Sequence, residues 1–146
     1  METKQEKTYQ EWLNPTTMHA ASLNWLSELK FAKDEELFFN DLVKSYTLQL
    51  TDLKHFDESK KIVDRLSNLQ KETNLLINKI IKHEKGLKTM LDGSIQLKEE
   101  AIYKEEHRMF IMLVSNFHKS YKTLKTQLFA LIKNILKEGK QKRLLQ

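Results

Sequence analysis

Apolar residues recur in steps of three and four along most of this 146-residue chain, and they outline three long amphipathic helices. The first stripe runs Trp25, Leu29, Ala32, Glu36, Phe39, Val43, Tyr46, Leu50, and Leu26 and Leu42 widen it. The second runs Ile62, Leu66, Leu69, Thr73, Leu76, Ile80, His83, Leu87, Met90, and the third Ile102, Met109, Leu113, Phe117, Leu124, Leu128, Leu131, Ile135. Alternating fours and threes make a coiled-coil-like seam.

Start and stop signals divide the stripes. Asn14 is placed to cap and Pro15 to open the first helix, because proline at the first helical position gives up only an N–H that had no partner. That helix is predicted over about 15–50, the second over about 57–91 after the possible caps Asp52 and Asp57, and the third over about 95–138. Asp92-Gly93-Ser94 is the turn between the last two, with Gly93 suited to a left-handed closing residue and Ser94 to a cap. Gly86 lies inside the second helix, where glycine costs about 1 kcal/mol against alanine, and marks a place for a kink. Gly139 is placed to end the third.

Short connections force successive helices to run antiparallel. The expected fold is all-α, an elongated up-down-up three-helix bundle, with a fourth element if the N-terminal arm is helical. Residues 1–14 form that arm, with Tyr9, Trp12 and Leu13 laid on the bundle. Residues 15–139 form the bundle and residues 140–146 a basic flexible tail.

Composition narrows the chemistry. The chain has no cysteine, which removes disulfides, thiolate metal sites and thiol catalysis. The segment Met1–Lys7 is too polar for a signal peptide, and no run reaches the length of a membrane span, so a cytoplasmic location is expected. The net charge of +5 is uneven: from Lys104 onward ten Lys or Arg face only Glu105, Glu106 and Glu138, while the first 103 residues sum to −2. Such asymmetry can attract an anionic partner. Lys119, Lys122, Lys133, Lys140, Lys142 and Arg143 are the candidate anion contacts, with Lys119, Lys122 and Lys133 expected at different angles around the helix. Arginine is scarce, so contact with nucleic acid would be to phosphate and without sequence information. Leu144 and Leu145 beside Lys140, Lys142 and Arg143 also suit an anionic membrane surface.

Two ionisable groups interrupt the seams. Glu36 and His83 must find partners if buried, since an unpaired buried charge is costly. Aligning the hairpins by length brings His83 to Trp25, Tyr103 and Glu106, and Glu36 to Thr73 and Leu113. Glu36 and His83 then lie about ten residues, or about 15 Å, apart. His83 with Glu106 has the makings of an acid–base or metal-ligand pair, but a bundle di-metal site needs Glu-x-x-His on two helices and the chain contains none. No His-Glu-x-x-His, glycine-rich phosphate loop or Gly-x-Ser-x-Gly elbow is present, so no metal, cofactor or catalytic residue is assigned. Phe39 and Val43 align near Leu113–Phe117, where a small-molecule pocket could open between helices.

Leu37 and Phe38 cannot both share the seam with Phe39, because successive residues diverge by about 100°, and Phe31 also sits off the central line. They are the candidate partner-binding residues. The reading that follows is a noncatalytic helical interaction module, self-associating or bound to another protein. The alternatives are a polyanion or membrane-surface binder through the third helix, and small-molecule or metal binding inside the bundle.

Overall fold

The computed structural model describes residues 13–93 and 97–145, excepting the side chains of residues 97 and 98. Four helices follow in order: α1 (Pro15–Ser45), α2 (Thr47–Leu50), α3 (Phe56–Leu91) and α4 (Leu97–Leu145), with no strand among the described residues. The protein is an all-α bundle. Apart from Leu13 and Asn14, the N-terminal arm lies outside the described residues.

The Asn14 carboxamide caps α1, accepting from the Thr17 N–H at 2.8 Å. The helix expected to reach Leu50 breaks at Tyr46, whose N–H is shared between the Leu42 and Val43 carbonyls. The hydroxyls of Ser45 and Thr47 bond back to carbonyls of the preceding turn there. α3 begins one residue earlier than expected, with Asp57 and Glu58 in its first turn. Gly93 closes it at φ +77°, the left-handed conformation that only glycine adopts without strain.

The other two glycines lie inside helices. α3 passes through Gly86 without a break. A Cβ there would overlap the Tyr103 ring, so glycine serves the close approach of α4. α4 likewise runs on through Gly139, and the basic residues expected as a flexible tail are helical to Leu145. One glycine weakens a helix by about 1 kcal/mol and does not stop a long one.

The chain divides into two compact units. The first holds the described residues up to Ala32 with Thr73–Asn116, and the second Lys33–Glu72 with Phe117 onward. In the first, Leu26, Leu29, Leu76, Ile80, Phe110 and Val114 are buried, and Leu13, Met18 and Leu87 form a cluster with Met90 and Tyr103 against it. In the second, Phe39, Ile62, Leu66, Phe117, Leu124 and Leu128 are buried. Within each unit α3 and α4 are antiparallel: His83 and Gly86 meet His107 and Tyr103 in one, and His55 and Arg65 meet Glu138 and Gln127 in the other.

The α3 stripe is buried from Ile62 to Leu87. The first half of the α4 stripe needs correction. Ile102 and Met109 are exposed, and the buried line is His107, Phe110, Val114, Phe117, Tyr121. Stepping back four rather than three from Phe117 lands on Leu113 instead of Val114, and every earlier position then slips to the neighbouring stripe. The register of α1 on α4 also shifts: Phe39 meets Tyr121 and Phe129, at centroid distances of 6.3 and 5.6 Å, and not Leu113–Phe117.

Candidate functional site

The first unit carries a chain of three hydrogen-bonding side chains contributed by α3 and α4. His83 is placed by the α3 seam, between Ile80 and Leu87. His107 lies one turn before Phe110 on the buried line of α4, and Glu106 lies beside it toward the rim. His83 Nδ1 is 2.7 Å from Glu106 Oε1, and His83 Nε2 is 3.0 Å from His107 Nδ1. Trp25 of α1 stacks on the His107 ring at 4.7 Å, and Phe110 and Tyr103 pack around His83 at 5.1 and 6.1 Å. His19 and Glu84 stand 3.1 Å apart in the same unit.

Both imidazoles are buried, and Glu106 is the end of the chain that meets water. Burial opposes a positive charge more strongly than the Glu106 carboxylate favours it, so the His83 pKa is lowered. His107 is pushed down to about 4, by burial first and then by the charge of His83. With both rings neutral, His83 Nδ1–H donates to the carboxylate, and its Nε2 accepts from His107 Nδ1–H. Both His83 nitrogens are committed to these bonds and have no lone pair aimed at a common centre. Among the described residues, no group of three or more His, Cys, Asp or Glu side chains is placed to hold a metal ion.

The sequence brought His83, Glu106, Trp25 and Tyr103 together but missed His107 and Phe110. The signal was available: His107, Phe110, Val114 and Phe117 follow the three–four alternation.

The second unit holds Glu36, buried and with a partner, its backbone carbonyl accepting from Gln70 Nε2 at 3.5 Å. Its neighbour Glu35 is the carboxylate that takes the lysine, with Lys125 Nζ at 3.1 Å and the Tyr121 hydroxyl donating at 2.7 Å. Burial, then the bond to Glu35, raises the Tyr121 pKa. At the other end of this unit Glu138 accepts from Lys54 Nζ and contacts His55 Nε2, both at 2.9 Å. Those two bonds hold its carboxyl down to about 2.

Phe31, Leu37 and Phe38 are exposed, as are Lys119, Lys122, Lys133, Lys140, Lys142 and Arg143. Lys119 borders an open polar groove of about 510 Å³ between α3 and α4, with Arg65 and Glu72 opposite. Lys142 and Arg143 border a recess of about 330 Å³ beside His55 and Glu138. No helix among the described residues is long and apolar enough to cross a membrane. Comparison with known proteins finds no matching family model, no matching curated protein and no matching solved structure.

Proposed function

We propose that this chain is a noncatalytic helical interaction module that self-associates through the outward side of α1. One observation carries the reading. In the second unit Leu37 and Phe38 are 58% and 57% exposed, while the adjacent Phe39 is 1% exposed and fills the core. That core is complete without them, so these large side chains are surplus to folding. Adjacent surplus apolar groups on a helix face mark a contact surface. Phe31 of the first unit is 66% exposed and extends the supply of such groups on the same helix. The enzyme reading has less support: the His83 and His107 rings are packed among Trp25, Phe110 and Tyr103, and only Glu106 of that hydrogen-bonded chain reaches water.

Sedimentation velocity across a concentration series tests the proposal. The native chain should sediment as a dimer or larger species, and Leu37→Ser with Phe38→Ser should return it to a monomer with unchanged helix content. A native chain that stays monomeric at the highest concentration overturns self-association.

A further inference from the structure

We infer that the outward face of α4 from Lys119 to Leu144 is a docking surface for an anionic lipid bilayer. Lys119, Lys122 and Lys133 were expected at different angles, but on one continuous helix they fall within about 60° of each other, because eleven residues return almost to phase after three turns. Lys137 and Lys140 join the same face, and so do Phe129, Leu136 and Leu144. All eight side chains are exposed. At 1.5 Å per residue the strip is about 38 Å long. Gly139 was expected to cut it short. Instead the helix continues and keeps Lys140 and Leu144 in line.

No acidic residue of α4 lies on the strip. Glu138 is the only acidic residue after Glu106, and Lys54 and His55 hold its carboxylate away from the strip. None of the five strip lysines forms an ion pair with a described residue. The surface therefore offers cations for lipid phosphates and serine carboxylates. Phe129, Leu136 and Leu144, 45%, 50% and 76% exposed, alternate with those cations and can enter the boundary beneath the headgroups. This interleaving favours a bilayer over nucleic acid, whose phosphates would engage the lysines and leave the exposed Leu136 and Leu144 without a role.

Vesicle flotation with the full chain tests the inference. Vesicles of phosphatidylcholine containing phosphatidylserine should carry the protein at low salt, and vesicles of phosphatidylcholine alone should not. High salt should weaken binding by about tenfold or more, since the surface charges are screened. Lys133→Glu with Lys137→Glu and Lys140→Glu should abolish it. Leu136→Ser with Leu144→Ser should weaken it about tenfold with all cations retained. All five positions are exposed, and circular dichroism checks that the variants keep their helices. Equal binding to both vesicle types overturns the inference, as does failure to bind either. Undiminished binding by the leucine variant, together with equally tight binding to duplex DNA, would assign the strip to polyanions in general and also overturn it. The self-association variants lie on α1 and leave this face intact, so either proposal can fail alone.

Discussion

Acidification should loosen the first unit, and His107 should account for a measurable share of the loss. Its pKa falls from 6.5 in the unfolded chain to about 4 in the fold. Above pH 6.5 both states are neutral and the site carries no penalty. As pH falls toward 4 the unfolded chain takes up a proton that the folded chain refuses, and stability drops. A shift of this size corresponds to about 3 kcal/mol at full development. His83 is lowered as well and adds in the same direction. The perturbation is His107→Asn, which retains an N–H near Nδ1 to donate to His83 and cannot titrate in this range. Urea unfolding followed by circular dichroism, at about pH 7 and about pH 4, gives the pH dependence of stability for each protein. The variant starts less stable, having lost the ring stacked on Trp25, but its loss on acidification should be smaller than that of the native chain by about 2–3 kcal/mol. In a Trp12→Phe background, which leaves Trp25 as the only indole, fluorescence should follow the same titration. The reasoning is refuted if proton resonances place His107 at or above 6.5, or if both proteins lose equal stability on acidification.

Gly86→Ala should destabilise by about 1–2 kcal/mol in thermal melts, although alanine is the better helix former, because its Cβ displaces the Tyr103 ring. Adding Tyr103→Ala should remove that penalty. Carbon-detected titration should find the Glu138 carboxyl near 2, and His55→Phe should raise it, since the bond to His55 is the larger cause of its depression. Phe117→Ala should cost about 3–5 kcal/mol in urea unfolding, because Phe117 is fully buried against Tyr121, with rings 5.7 Å apart and nearly parallel.

The helices were legible because their signal is local. Any residue on the α3 seam declares its face through neighbours three and four positions away, and burial follows that phase from Ile62 to Leu87. The same locality brought His83 to Glu106, since the turn at Gly93 fixes how far each strand of the hairpin reaches back. What was not legible depended on choices between equal local options. Leu113 and Val114 are both apolar and both in reach of Phe117, and only packing selects Val114. That one choice hid His107 and with it the second half of the hydrogen-bonded chain. The break at Tyr46 leaves no trace in the apolar period, which runs on through Val43, Tyr46 and Leu50. Gly86 and Gly139 carry the same residue type, and only the neighbouring Tyr103 ring distinguishes a required glycine from a tolerated one.

The tether on Glu138 links two places more than eighty positions apart in the chain. Replacing Lys54 or His55 would free a carboxylate beside the lysines of the final helical turns and change their electrical character without touching them. Residues 54, 55 and 138 should therefore drift in concert among descendants of this sequence, and a library that randomises the C-terminal helix alone would sample its charge incompletely.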